Sequence, residues 1–254
     1  MAPARAIDRK SACEGGAARY YIRMQLLKLT LTMALGCAFL PAADEPKDTR
    51  KVNDRLEDAA SLFSEVMATP DKAIPQGLLD KSQCIILVPG LKKGAFLVGG
   101  KYGRGFAVCR AEGEGWGPPA GIRIEGGSFG LQIGFASSDV VLLVMNGRGM
   151  KRLTQDSFTI GAEATAAAGP VGRDASAQTD AMMTAEILSW SRSHGAFAGV
   201  SLDGATLRTD FDQNESMYGK HWDTAEILHS GAHAPEAYNR LRELLGKYSP
   251  RKAI

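Results

Sequence analysis

Hydrophobic positions recur with helical spacing near the start of the chain. Between residues 50 and 68, Val52, Leu56 and Phe63 fall on one side of a helix, and charged residues fill the other side. The pattern predicts an amphipathic helix that ends near Thr69-Pro70. Its polar face carries both signs of charge. This favours packing on its own domain, because a helix lying on a membrane has a mainly basic polar face.

From residue 84 the pattern changes to short apolar runs separated by glycine-rich turns. The first run, 84–88, is followed by the turn signal Pro89-Gly90. Because turn signals recur about every ten residues without long helices between them, this part of the chain predicts an antiparallel sheet. The expected strands are 84–88, 94–100, 105–110, 121–125, 131–135 and 140–145, with Asn146-Gly147 as the turn after the last.

The C-terminal third returns to helical spacing. Residues 174–193 predict a helix, and strands over 195–200 and 206–208 flank a turn at Asp203-Gly204. Two further helices are expected over 223–230 and 235–246. The elements together predict one α+β domain: an antiparallel β sandwich or partly open barrel with an N-terminal amphipathic helix and C-terminal helices.

The charge distribution bounds the classes of partner. The chain has 254 residues and a net charge of +2, and residues 1–43 hold six basic residues against two acidic ones. The remainder is therefore slightly acidic, with 24 basic and 26 acidic residues. A general nucleic-acid binder would show a basic excess, so no nucleic-acid partner is expected.

The N-terminal segment resembles an export signal. Lys28 precedes an apolar run over 29–40 that is too short to span a bilayer comfortably and ends in small residues. We expect an N-terminal extension and secretory signal over 1–43, a single domain over 44–254, and export to the periplasm or cell envelope. Cleavage near Ala42-Ala43 is the interpretation we favour. A lipid anchor at Cys37 and a retained N-terminal anchor are the alternatives.

Two cysteines, Cys84 and Cys109, lie within apolar runs of the expected domain. An oxidising compartment permits a disulfide between them. A single pair is not a disulfide framework, so we favour two packed free thiols.

Motifs for catalysis are weak. Residues 126–130 match the G-x-S-x-G nucleophile elbow, which places its serine between a strand and a helix. The alternating residues that follow, Leu131, Ile133 and Phe135, predict a strand instead. The pair His229 and His233 lacks a third ligand nearby. We therefore expect no catalytic residue, no metal and no cofactor. A serine hydrolase centred on Ser128 is the alternative.

Basic residues gather beside two of the expected turns. If these turns lie at one end of the sheet, the cations would converge and suit an anionic lipid headgroup. A solvated rim of loops is the other interpretation. The candidate headgroup contacts are Lys92, Lys93, Lys101, Arg104, Arg148, Lys151 and Arg152.

An ordered set of segments carries a family resemblance. The segments are Ile85–Pro89, Gly99–Gly105, Trp116–Pro119, Gly126–Gly134, Gly195–Gly204 and Asn214–Gly219. Together, over about residues 52–245, they resemble the SYLF domain, a lipid-binding family. Eukaryotic members bind phosphoinositide-containing membranes, and some fungal members bind and bundle actin filaments.

The resemblance implies binding without catalysis. The expected function is association with anionic phospholipid or membrane surfaces, with no cofactor. Actin is not an expected partner of an exported protein, and no protein partner is identified. Besides the hydrolase, an envelope protein that binds another protein through its sheet face is the remaining alternative.

Overall fold

The computed structural model describes residues 47–68, 73–96, 98–111, 115–129, 134–170, 184–193, 196–199 and 202–250. Residues Pro46–Ile254 form one compact unit. The expected signal segment, residues 1–43, lies outside the described residues. Within the described part of the chain, no helix combines the length and the hydropathy needed to cross a bilayer.

The described elements alternate between long strands and short helices. The helices are α1 (Lys47–Ala68), α2 (Gln76–Lys81), α3 (Gly147–Leu153), α4 (Phe211–Tyr218), α5 (Thr224–Ser230) and α6 (Asn239–Tyr248), with a 3₁₀ turn over Glu236–Tyr238 before α6. The strands are β1 (Cys84–Phe96), β2 (Val98–Arg110), β3 (Trp116–Phe129), β4 (Gly134–Val144), β5 (Ser157–Thr159), β6 (Ala166–Ala168), β7 (Ile187–Ser193), β8 (Ala196–Gly199) and β9 (Thr206–Thr209).

These strands form one curled sheet. Their order is β5-β9-β3-β2-β1-β4-β7-β6, with β8 paired to β7. All pairs are antiparallel except β6 with β7. The predicted α+β class, the antiparallel sheet, the N-terminal helix and the C-terminal helices are confirmed. Of the two predicted architectures, the curled half-barrel corresponds to the partly open barrel.

Each face of the sheet buries its own hydrophobic cluster, because alternate residues of a strand point to opposite faces. Ile85 and Leu87 pack with Leu56 and Phe63 of α1 on what we call the helix-covered face. Ile86 lies on the other, inner face, in a cluster with residues of α3, β5 and β9 around which the sheet curls. The periodic apolar residues of α1 are thus explained by packing on the sheet.

The expected turn at Pro89-Gly90 is wrong, because β1 continues through it to Phe96. The register with β4 shifts between Val88 and Leu91, which marks a β-bulge. Gly90 has a φ of 64°, a conformation that favours glycine, and its N–H donates to Asp139 Oδ1 at 2.9 Å. A bulge and a turn use the same residue types, so the sequence does not distinguish them.

The expected helix over 174–193 is wrong in its last part, since Ile187–Ser193 is strand β7. Ile187 faces the inner cluster, whereas Leu188 and Trp190 face the helix-covered one. A strand buried on both faces gives a continuous apolar run that resembles a helix. Residues 174–183, the first part of that prediction, lie outside the described residues.

The expected turn at Asn146-Gly147 is instead the start of α3. The Asn146 side chain accepts a hydrogen bond from the N–H of Gly149 at 3.0 Å and caps the helix. Asparagine and glycine serve turns and helix caps equally well, which explains the difference.

The expectation of two free thiols is also wrong. Cys84 and Cys109 occupy directly opposite positions of β1 and β2 and form a disulfide. The pairing register, which local sequence does not reveal, brings the two sulfur atoms together.

Candidate functional site

Three of the seven candidate basic residues share one end of the sheet. We call it the distal end and define it by residues 91–102 and 134–138. There β1 lies between β2 and β4, so that Lys92 is opposite Tyr102 and Ser137. Lys93 is opposite Lys101. The distal end therefore collects three lysines on two neighbouring strands.

Lys93 and Lys101 form a pair of like charges. Burial lowers the pKa of Lys101, the positive charge of Lys93 lowers it further, and Asp203 opposes the change. The Lys101 ammonium donates to the backbone carbonyl of Asp203 at 3.5 Å. A charged amine with a lowered pKa gains from a nearby anion, because an anion stabilises the protonated form.

Two aromatic side chains are exposed beside these lysines. Phe135 is 96% exposed and Tyr102 is 50% exposed. The ring of Phe135 lies across Gly94, where an added Cβ atom would be 3.1 Å from Phe135 Cε1. Lys92, Tyr102 and Phe135 therefore make a mixed cationic and aromatic surface beyond the part of the sheet that α1 covers.

Arg148, Lys151 and Arg152 lie on α3, at the opposite end of the sheet. α3 follows the C-terminal end of β4, where Val144 pairs with Cys84. At the outermost point of the distal end, Gly134 pairs with Ala95. At about 3.3 Å per residue the two ends are about 35 Å apart. The basic residues thus form two separate groups and do not converge on a single surface.

Arg104 belongs to neither group. Its guanidinium forms a two-pronged ion pair with Asp210, a fully buried carboxylate. The hydrogen bond that Arg104 donates to Asp210 raises the pKa of Arg104. Asp210 also accepts the backbone N–H of Gln213 and thereby caps α4. Arg104 therefore has a partner within the protein.

The residues around Asp210 form a buried polar network that no motif in the sequence predicts. Gln213 Nε2 donates to the carbonyl of Gly105 at 2.7 Å. Asn214 accepts from the N–H of Gly121 at 2.6 Å and donates to the carbonyl of Trp222 at 2.9 Å. The Asn214–Gly219 segment was recognisable as a motif, but its role in clamping β2 and β3 to α4 depends on distant backbone groups.

A cleft of about 370 Å³ opens between α1 and α4 beside this network. Arg55 of α1 lies in the cleft and donates from Nη1 to Gln213 Oε1 at 2.5 Å. Burial lowers the pKa of Arg55, and the charge of Arg104 lowers it further. No pattern in the sequence distinguishes Arg55 from the other charged residues of the amphipathic helix.

The geometry at Ser128 differs from a nucleophile elbow. Ser128 lies inside β3, opposite Gly99 of β2, and no helix begins at it. Within the described ranges, no group of three histidine, cysteine or acidic residues is placed to hold a metal ion. His229 and His233 are both exposed.

Comparison with known proteins gives consistent matches. A family model described as "Ysc84: Las17-binding protein actin regulator" matches residues 125–248. The chain is 31% identical over 209 residues to SH3 domain-containing YSC84-like protein 1 of Xenopus laevis, which covers 82% of this chain and 62% of that protein. The human protein of the same name is 30% identical over 190 residues, covering 74% of this chain and 55% of the relative.

A fungal relative is similar as well. LAS seventeen-binding protein 3 of Saccharomyces cerevisiae is 29% identical over 178 residues, covering 69% of this chain and 39% of the relative. The matched part thus spans less than two thirds of each of these relatives.

Proposed function

This chain carries a domain of the SYLF (Ysc84) family, as the resemblance predicted, and we propose that it binds anionic phospholipid surfaces through the distal end of its sheet. The observation that carries the proposal is the exposure of Phe135 on the same face of the sheet as Lys92, with Lys93 and Lys101 on the other face of the same end. An exposed phenylalanine is costly in water, and lysines on both faces of this end suit an end-on contact with a surface that is apolar inside and anionic at its rim.

The expected affinity is that of a reversible peripheral protein. Each lysine near a charged membrane contributes about 1 kcal/mol, so the three contribute about 3 kcal/mol. Burying the Phe135 ring adds about 2 kcal/mol. A total of about 5 kcal/mol corresponds to a dissociation constant below about 1 mM, far from permanent anchoring. Headgroups with more negative charge, such as phosphorylated inositol lipids, are expected to bind more tightly than singly charged ones.

We further propose that the protein acts outside the cytoplasm, in the periplasm or cell envelope. The signal-like pattern over 24–43 and the Cys84–Cys109 disulfide support this proposal, because disulfides persist in oxidising compartments. Fractionation of cells by compartment tests it, and recovery of the chain with cytoplasmic markers would contradict it.

A protein partner is the competing function. The matched family is described as a Las17-binding actin regulator, which favours this alternative. Both faces of the sheet bury hydrophobic clusters, so the central sheet offers little apolar surface for another protein. Co-sedimentation with actin filaments distinguishes the two functions, since the lipid proposal predicts no enrichment in the filament pellet.

Vesicle co-sedimentation tests the lipid proposal. The protein is expected to bind vesicles that contain phosphatidylglycerol or a phosphatidylinositol phosphate, and to bind pure phosphatidylcholine weakly. Raising the salt from about 0.1 to about 1 M shortens the screening length from about 10 to about 3 Å and should release most of the protein. Binding that ignores both lipid charge and salt would overturn the electrostatic mechanism.

Variants locate the contact surface. Replacing Lys92, Lys93 and Lys101 by glutamine, or Phe135 by serine, should reduce binding strongly. The triple replacement of Arg148, Lys151 and Arg152 by glutamine removes the same charge at the opposite end and should have little effect. The reverse result would place the contact on α3.

A fluorophosphonate label tests the serine-hydrolase alternative. Labelling of the unmodified chain that is lost in Ser128→Ala would establish it.

A further inference from the structure

The floor of the cleft between α1 and α4 holds two guanidinium groups, those of Arg55 and Arg104. Gln213 and Val52 are buried at its base, and the Arg104 side chain is only 29% exposed. Arg104 is neutralised by Asp210. Arg55 shares this floor, and within the described part of the chain no carboxylate lies within ion-pair distance of it.

The Arg55 guanidinium has donors to spare. A guanidinium carries five N–H donors in a planar fork, and the hydrogen bond from Arg55 to the neutral amide of Gln213 uses one of them. Half-burial removes part of the water that would otherwise serve the remaining donors. At the base of the cleft, Arg104 is thus paired with a carboxylate, whereas Arg55 is hydrogen-bonded to a neutral amide.

The rim of the cleft limits what can enter. Asp48 is paired with Lys51 at 3.1 Å, Glu215 faces His221 at 3.8 Å, and Asp212 is exposed. These exposed acidic groups weaken the attraction of the cleft for every anion, and most of all for a highly charged one. The charge pattern therefore favours a ligand of low charge that reaches the guanidinium groups at the floor.

We propose that this cleft is a binding site for a compact oxyanion, a carboxylate or a phosphate group, held by the fork of Arg55 with Arg104 close by. A planar guanidinium matches two oxygens of either group, and such charge-assisted pairs are the strongest hydrogen bonds of this type. The site is independent of the lipid surface proposed above, because none of the distal-end lysines lines the cleft.

Calorimetric titration with inorganic phosphate and, separately, with acetate tests the site, with chloride at equal ionic strength as the reference. The intact chain is expected to bind at least one of the two anions saturably with one-to-one stoichiometry, and the anion should raise the melting temperature. Phosphate binding alone identifies a phosphate site, and acetate binding alone identifies a carboxylate site. The Arg55→Gln variant should bind at least about tenfold more weakly.

Two further variants make the result decisive. Arg148→Gln removes an arginine that is 75% exposed, at the opposite end of the sheet, and should leave anion binding unchanged. Arg55→Lys keeps the charge without the fork and should bind the anion more weakly than the unmodified chain. It therefore still tests the site if Arg55→Gln fails to fold. Absence of saturable binding by the intact chain, or equal binding by a folded Arg55 variant, would overturn the proposal.

Discussion

Arg104 on β2 and Asp210 at the start of α4 form an ion pair whose carboxylate is completely buried. Asp210 also accepts the backbone N–H of Gln213, so one side chain neutralises an arginine and caps a helix. A buried carboxylate is costly unless it is paired, and Arg104 supplies that pairing. The family motif Asn214–Gly219 thus starts within α4, the helix that the Arg104–Asp210 ion pair holds against the sheet.

Replacing Arg104 by glutamine is expected to destabilise the protein substantially. The change leaves Asp210 buried without its counter-charge, which costs about 3 kcal/mol, the low end for such pairs because Arg104 is partly exposed. Urea denaturation measures the loss. Arg242→Gln is the matched control, because Arg242 is exposed on α6, and it should change the free energy of unfolding by less than about 0.5 kcal/mol. Equal effects of the two changes would contradict the structural role of the pair.

Gly121 should tolerate no side chain. An added Cβ would lie 2.8 Å from Asn214 Oδ1 and 2.9 Å from Gln213 Nε2, both fully buried. Gly121→Ala is therefore expected to lower the free energy of unfolding by about 2 kcal/mol or more, because the buried amides must move and lose hydrogen bonds.

The control for that prediction lies on the same strand. A Cβ added to Gly127 would meet no heavy atom within 4 Å, so Gly127→Ala should be close to neutral. Urea denaturation of both variants gives the comparison. Similar losses at the two positions would mean that the packing around Asn214 is looser than the structure indicates.

The parts of the fold that could be predicted are those that local periodicity encodes. The apolar stripe of α1 and the spacing of turn signals predict the helix and the antiparallel sheet. The predictions fail where two structures use the same residues. Pro89-Gly90 serves a bulge as well as a turn, and β7 is apolar on both faces because it separates two clusters.

The basic residues of the candidate site could be predicted from the sequence, but their arrangement in space could not. Lys92, Lys93 and Lys101 are recognisable as a basic group, and the hairpin brings them together. Their separation from α3 follows only from the strand register. Arg104 lies 106 residues from its partner Asp210 in sequence, and no local pattern encodes such a pair.

Tyr238, which is buried, and Tyr218, which is partly buried, should make stability fall at alkaline pH. Burial raises the pKa of Tyr218 and of Tyr238 above the ordinary value of 10. Their hydroxyl groups donate to the carbonyls of Pro119 and Gly117 at 2.6 and 2.8 Å. Above pH 10 the unfolded chain loses protons that the folded chain retains, so the free energy of unfolding decreases as pH rises, by up to about 1.4 kcal/mol per pH unit for each tyrosine.

The double Tyr218→Phe, Tyr238→Phe variant checks this expectation. It should be less stable at neutral pH by about 1 kcal/mol for each lost hydrogen bond, but its stability should fall less steeply above pH about 10. The lowered pKa of Lys101 acts in the opposite direction in both proteins, so the difference between them isolates the tyrosines. Parallel pH profiles would contradict the assignment.

The disulfide should contribute measurably to stability. It joins Cys84 to Cys109 across a sequence separation of 25, and closing a loop of that length restricts the unfolded chain by about 3.5 kcal/mol. Reduction should therefore lower the free energy of unfolding of the native chain and leave a Cys84→Ala, Cys109→Ala variant unchanged. Mass spectrometry of a non-reduced digest should show the two peptides linked. Their separate recovery would contradict the bond.

Lys101 offers a test that separates binding from stability. Its pKa is lowered by burial and by Lys93, so the charged form is disfavoured in the folded chain relative to the unfolded one. That penalty is present at neutral pH, declines once the pH passes the folded pKa, and is gone only above the ordinary pKa of the unfolded chain. Lys101→Met removes the charge and keeps an apolar stem beside Gly126. It should leave the free energy of unfolding unchanged or raise it.

The same change should weaken binding to anionic vesicles about fivefold, since one lysine contributes about 1 kcal/mol at a charged surface. Lys81→Met is the matched control, because Lys81 is exposed on α2, far from the distal end, and should alter neither quantity. If Lys101 served only the fold, its replacement would lower the free energy of unfolding and leave vesicle binding unaffected. A gain or no change in stability together with loss of binding is therefore specific to a lysine retained for contact with an anion.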